Sequence, residues 1–198
     1  MTKRLFDVFF SLVGIIFLSA VFVFVCIVIK LSSKGPIIFK QLRVGQFGEP
    51  VGVLKFRTMV VNAELLGPKI TTATDSRITP IGKILRKYKL DELPQLFNVL
   101  FGSMSLVGPR PEVQEFIDEY PWDIRLKVLS VKPGITDLAS IEFKNENDIL
   151  TDAVDARLVY INEILPIKQQ FYTKYVDEQS LYLDLSIILK TINAIFRK

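Results

Sequence analysis

The chain has 198 residues, a net charge of +4, 49% hydrophobic residues, one cysteine and no histidine. That length holds one sizeable core, and the missing histidine excludes Ser-His-Asp and Cys-His mechanisms and His-ligated zinc. Cys26 alone cannot form an intrachain disulfide, so carboxylates, Lys, Arg, Tyr and Ser/Thr are left for chemistry, and a metal would need oxygen ligands, which favours Mg²⁺ or Mn²⁺.

Val8 to Ile29 is an uncharged, mostly apolar run of about 22 residues, the length of a bilayer-crossing helix. It is too long and Phe-rich for a signal-peptide core. Lys3 and Arg4 flank one end, Lys30 and Lys34 the other. Positive charge marks the cytoplasmic side, so both ends qualify. A re-entrant helix resolves this, with a break at Gly14 or Ser19. A Ser19 hydroxyl bonded to the carbonyl four residues back would bend the helix there.

Beyond this segment the pattern becomes globular. Residues 36–41 and 51–57 read as short strands, with Gly45 and Gly48 in the turn between them. Residues 60–76 read as a helix start and then a loop. Thr79-Pro80 opens a helix running to about Tyr88, on which Lys83, Arg86 and Lys87 share a face. Asp91 falls where an N-cap belongs, followed by Glu92, Leu93 and Pro94, and the helix stops at Gly102. Pro111 to about Leu129 reads as helix, residues 132–136 as a turn into a short strand, and residues 151–176 as an interrupted helix. Leu181 to Phe196 is amphipathic, which suits core packing or a membrane interface.

The expected fold class is α+β: a membrane-inserted, re-entrant N-terminal helix over residues 1–34, then a small, mostly helical domain over 35–198 with a short β-hairpin and interfacial amphipathic helices.

The most informative stretch is Leu90-Asp91-Glu92-Leu93-Pro94, preceded by Lys83, Arg86, Lys87 and Lys89 and followed by Pro109-Arg110-Pro111. Adjacent carboxylates in a basic setting suit reaction at a phosphate ester. One can attack phosphorus, the other can hold a metal, and the cations hold the polyanion. A helix start also favours a charged carboxylate or a phosphate. The phosphate-binding candidates are Arg43, Lys55, Arg57, Arg86 and Arg110. Mild basicity also suits anionic lipid, and no nucleic-acid module is present, so nucleic acid is not an expected partner.

Seven blocks in order resemble the bacterial sugar transferase family, the monotopic polyprenyl-phosphate phosphoglycosyl transferases. After the apolar segment come Gln41-Leu42-Arg43-Val44-Gly45, Lys55-Phe56-Arg57-Thr58-Met59 and Asp75-Ser76-Arg77-Ile78-Thr79. Then follow residues 90–99, residues 105–111, Lys132-Pro133-Gly134-Ile135-Thr136 and Leu183-Asp184-Leu185. The resemblance implies that Asp91 attacks the β-phosphate of a UDP-sugar and that UMP leaves. A polyprenyl phosphate such as undecaprenyl phosphate then takes the phosphosugar, opening capsule, O-antigen, exopolysaccharide or glycoprotein glycan assembly. It further implies Mg²⁺ on Glu92, Arg110 on the nucleotide phosphates, contact with membrane lipid, and a place at the bacterial inner membrane with the catalytic domain on the cytoplasmic face. Homo-oligomerisation is left open. Ser19-Ala20 stands where many members have Ser-Pro, and Thr136-Asp137-Leu138-Ala139 where many have Thr-Gly-Trp-Ala. The alternative is a catalytically idle membrane scaffold of a glycan-assembly complex.

Overall fold

The computed structural model describes residues 2–67, 75–143, 146–151, 153 and 155–196. The apolar segment is two helices, α1 (Thr2–Phe17) and α2 (Ser19–Ser32), bent by 61°. No single described helix is long and apolar enough to cross a membrane, but the bent pair together has the length and composition. The break falls at Leu18, with φ −91° and ψ 8°. Backbone bonds run from Leu18 N–H to Gly14 and resume from Phe22 N–H to Leu18. Ser19 opens α2 and is exposed, and its hydroxyl makes no hydrogen bond among the described residues, so the expected hydroxyl device is not what bends the helix.

Packing at both ends accounts for the bend instead. On α1, Lys3 pairs with Asp184 at 2.6 Å and Arg4 donates to the carbonyls of Val99 and Leu100. On α2, Val25 and Ile29 pack against Phe56 and Leu85. Beyond its end, Arg57 donates to the carbonyls of Ser33 and Lys34. Each arm is thus fastened to the globular part, and a straight helix could not satisfy both sets of contacts. The bent pair therefore packs as part of the body that residues 35–198 form.

Next comes an antiparallel hairpin, β1 (Ile38–Val44) and β2 (Pro50–Phe56), paired from Ile38↔Phe56 to Val44↔Pro50. Residues 68–74, where much of the expected loop falls, lie outside the described residues. Helix α3 (Pro80–Lys87) starts as its sequence predicts, with Thr79 Oγ1 accepting from Gly82 N–H. Helix α4 (Gln95–Phe101) ends on Gly102, whose φ of 91° suits glycine. Strand β3 (Ser105–Val107) is not evident in the sequence pattern. It pairs in parallel with β4 (Gly134–Thr136).

The expected helix over 111–129 is split into α5 (Gln114–Ile117) and α6 (Trp122–Val128), because Pro121 interrupts it. Short α7 (Leu138–Glu142) and α8 (Glu146–Thr151) follow. The interrupted helix is α9 (Ala156–Val159), a wide turn over Tyr160–Ile164 and α10 (Leu165–Glu178). Helix α11 (Leu181–Phe196) closes the described chain. One core gathers Phe116, Tyr160, Leu165 and Tyr172. A second, around Val53, Val99, Val107 and Ile187, lies under the site. The class is as expected, mostly helical with two small sheets.

Candidate active site

The chain reverses at Lys89, which has φ 56°. Left-handed backbone is unusual for a residue with a Cβ and costs about 1–3 kcal/mol. It turns Leu90–Glu92 into a single tight 3₁₀ turn. In such a turn residues three apart share a face. Leu90 and Leu93 therefore face down, onto the cluster of Val25, Ile29 and Leu85. Asp91 and Glu92 face the opposite, polar side.

Asp91 does not cap a helix as its position suggested. Helix α4 starts four residues later, and Asp91 lies 7% exposed in the turn before it. Its Oδ1 is buried and accepts no hydrogen bond. Buried polar atoms without a partner are uncommon and call for an explanation. Burial and the neighbouring Glu92 charge raise the Asp91 carboxyl above the ordinary aspartate range, against the pull of Lys55, Arg86 and Lys89.

Glu92 is the opposite case. Its Oε1 accepts from Lys55 Nζ at 3.2 Å and from Arg110 Nη2 at 2.6 Å. Burial alone would raise its carboxyl, but Arg110, Lys55 and Lys89 together hold it well below the ordinary range. Burial also lowers the Lys55 ammonium, with Glu92 opposing. The two adjacent carboxyls are thus shifted in opposite directions, Glu92 down by its cations and Asp91 up by burial.

Elements from across the chain fix the cations. Asn98 on α4 accepts from Leu54 N–H and donates to the Gly52 carbonyl, which bolts α4 to β2 and sets Lys55 beside Glu92. Arg110 lies on the Pro-Arg-Pro turn after β3. That turn is seated where Gly108 and Gly134 meet, since a Cβ on Gly134 would fall 2.1 Å from Gly108 N. Arg43, on β1, is 3.6 Å from Glu112 and reaches the Pro111 carbonyl. Arg43, Val53, Lys55, Gln95, Arg110 and Pro111 line a small open cleft.

A family model for bacterial sugar transferases matches residues 1–198. The chain belongs to this family. It is 41% identical over 195 residues to a UDP-glucose:undecaprenyl-phosphate glucose-1-phosphate transferase of Klebsiella pneumoniae, covering 96% of this chain and 39% of that protein. It is 37% identical over 195 residues to a UDP-N-acetylgalactosamine-undecaprenyl-phosphate N-acetylgalactosaminephosphotransferase of Aeromonas hydrophila, covering 98% of this chain and 43% of that one. The exopolysaccharide production protein ExoY of Sinorhizobium fredii is 34% identical over 209 residues, with 98% of this chain and 85% of that protein covered. The chain spans about two fifths of the length of the first two relatives.

Within this family frame, the structure brings Arg43, Lys55 and Arg110 to one cleft, with Glu92 bonded to Lys55 and Arg110 and Asp91 beside it in the chain. Arg86 stands at its edge, its Nε donating to Thr58 Oγ1 at 2.9 Å and its charge acting on Asp91. Arg57 does not join them. Its Nη1 and Nη2 donate to Lys34 and Ser33, which clamps the exit of α2, while its Nε is buried without a partner among the described residues. The sequence reading missed Glu112, 4% exposed, which accepts from Tyr160 Oη at 2.7 Å and backs Arg43. A Glu directly after Pro-Arg-Pro was the available signal.

For a metal the donors are hard oxygens. Among the described residues no three acidic, His or Cys residues form a cluster. A site of one or two carboxylates completed by substrate phosphates and water is the usual Mg²⁺ arrangement. Glu92 Oε1 is taken by Lys55 and Arg110, while Oε2 has only a long 3.5 Å contact from Arg110 and is the oxygen Glu92 could offer such an ion.

Arg110 meets both Glu92 oxygens, Nη2 to Oε1 at 2.6 Å and Nη1 to Oε2 at 3.5 Å, and Arg110→Lys tests this two-pronged contact. Lys keeps the charge but cannot reproduce the planar fork. A fall of about tenfold or more in turnover with the fold intact is expected. Unchanged kinetics would remove the fork from the account.

Proposed function

We propose that this protein transfers a sugar 1-phosphate from a UDP-sugar to a polyprenyl phosphate such as undecaprenyl phosphate. The observation that carries the reading is the buried, unpartnered Asp91 Oδ1 beside a Glu92 held between Lys55 and Arg110. In the first step an Asp91 oxygen bonds to the sugar-bearing phosphorus. The bond from that phosphorus to the UMP oxygen breaks, and UMP leaves with the electron pair. In the second step an oxygen of the polyprenyl phosphate attacks the same phosphorus and Asp91 departs as a carboxylate. Splitting the transfer lets a soluble donor and a lipid acceptor use one site in turn. Lys55, Arg86 and Arg110 hold the phosphates, and Arg43 supports the Pro-Arg-Pro turn. Glu92 would hold Mg²⁺, which when bound supplies charge neutralisation on the diphosphate. A catalytically idle scaffold would leave the unpartnered carboxylate without a purpose.

The bent helix pair supports a re-entrant placement. Lys3 and Arg4 at its start and Ser33 and Lys34 at its end are all tied to the same globular body. These ties support a reading in which both ends lie on one side of the membrane, and their charge favours the cytoplasmic one. The outward side of the pair is apolar, with Leu5, Phe9, Ile16, Phe17, Phe24 and Leu31 exposed. Leu185, Leu189 and Ile192 give α11 an exposed apolar face that suits the same interface.

A panel of UDP-sugars with undecaprenyl phosphate, scored by UMP release, tests the activity. At least one donor should release UMP in step with formation of the lipid-linked sugar, and release from none would overturn the reading. Topology is tested separately with Thr2→Cys in a Cys26→Ser background. A membrane-impermeant maleimide should label it only after spheroplasts are opened, and labelling of sealed spheroplasts would mean a spanning segment.

A further inference from the structure

The short strand that leads into Arg110 is held by a carboxylate from the N-terminal helix. In a two-stranded sheet, β3 has one open edge, where Leu106 N–H points away from β4. An outward N–H buried without a partner would cost free energy. Asp7 of α1 takes the place of a third strand. Its Oδ1 accepts from Leu106 N–H at 3.1 Å and its Oδ2 from Ser105 Oγ at 2.8 Å. Asp7 is 3% exposed although it borders the apolar run. A buried tyrosine hydroxyl also reaches the same strand. Tyr175 Oη stands 3.0 Å from the Val107 carbonyl and 2.7 Å from Asp184 Oδ1, whose other oxygen is paired with Lys3 of α1. Ser105 and Leu106 are thus tied directly to α1, while the single Tyr175 hydroxyl proton serves either the Val107 carbonyl or Asp184. Three residues beyond Val107 lies Arg110.

We infer that Asp7 is a positioning residue for Arg110. By fixing the open edge of β3 it sets the origin of the Pro-Arg-Pro turn, so docking of the N-terminal helix and affinity for the donor's diphosphate are coupled. The inference deepens the transferase reading and rests on it for the identity of the donor. A displacement of about 1 Å at a phosphate-holding side chain can change rates by orders of magnitude, whereas a merely structural Asp7 would affect only the amount of folded protein. The covalent chemistry stays with Asp91.

The test measures UDP binding and UMP-release kinetics on the full chain in detergent or nanodiscs. Asp7→Leu is expected to weaken UDP binding and raise the UDP-sugar KM by on the order of tenfold. Asp7→Asn keeps an acceptor for Leu106 N–H and should recover most of that loss. Because Asp7→Leu leaves a buried N–H unpaired, Ser105→Ala serves as a milder probe, with a smaller shift in the same direction and a non-additive double variant. Leu150→Ala, in the other core and outside the site, controls for lost stability. It should lower the melting temperature without moving the UDP Kd. If Ser105→Ala and the Asp7 variants bind UDP like the unsubstituted chain, or if Leu150→Ala weakens UDP as much at equal stability, the inference is overturned. If the unsubstituted chain binds no UDP and releases no UMP, both the inference and the transferase reading fall.

Discussion

Asp91→Asn should abolish turnover while making the protein more stable. The Asn side chain is nearly isosteric but is a far weaker nucleophile and leaving group. Loss of a covalent nucleophile typically costs about 10⁴-fold or more. The stability effect follows from the raised Asp91 carboxyl. A carboxyl raised in the folded state holds its proton more tightly there than in the unfolded chain. As pH rises through the folded-state value, the fold must carry a buried charge that the unfolded chain carries in water, and stability falls. At neutral pH the neutral Asn escapes this penalty, so the melting temperature should rise. For the same reason the acid limb of the rate profile should lie above the ordinary aspartate range, because only ionised Asp91 attacks. A purified Asn variant, checked for deamidation, that keeps near-normal UMP release would remove Asp91 from the chemistry. A lowered melting temperature would contradict the electrostatic account.

Glu92→Gln should lose activity too, but with the opposite effect on stability. Glu92 is the counter-charge for both Lys55 and Arg110, and its removal leaves two largely enclosed cations facing each other. Breaking such a pair by deleting one partner costs roughly 3 kcal/mol. Turnover should fall by about 10²-fold or more as the phosphate-holding side chains lose their setting. The linkage can be checked by pH. A carboxyl depressed in the fold contributes stability that is present above its unfolded value and is lost as pH falls through the folded-state value. The unsubstituted chain should therefore lose this contribution at acid pH below about 4.5, the ordinary glutamate value, and Glu92→Gln should not. Mg²⁺ dependence should weaken in the same variant, and full activity of the unsubstituted chain in EDTA would remove the metal from the account.

The sequence shows the hairpin, α3, α4 and the amphipathic α11 because each carries a local signal: alternation, Thr-Pro, a terminal glycine or apolar spacing. It also shows the carboxylate pair and four of the five phosphate-binding candidates near it. Three features were not legible. Strand β3 is only three residues, too short to show a period, and exists because Gly108 and Gly134 let two segments meet. Arg57 reads as one more cation in a basic stretch, and only tertiary structure shows its terminal nitrogens given to Ser33 and Lys34. Asp91 looks like an N-cap because capping is the common use of Asp before a helix. The left-handed Lys89 backbone instead places it in a separate turn with a free oxygen. The bend, by contrast, was legible in place: a break was expected at Gly14 or Ser19 and falls at Leu18, though the packing of both arms rather than the Ser19 hydroxyl accounts for it.

The most direct test of the central claim is to incubate the purified chain with its UDP-sugar and no lipid acceptor, then measure its intact mass. The expected result is an adduct equal to one sugar 1-phosphate, mapped to Asp91, with about one equivalent of UMP released per site. Adding polyprenyl phosphate should remove the adduct. Turnover that requires both substrates together, with no adduct and no UMP burst, would contradict the two-step account, as would an adduct on any other residue.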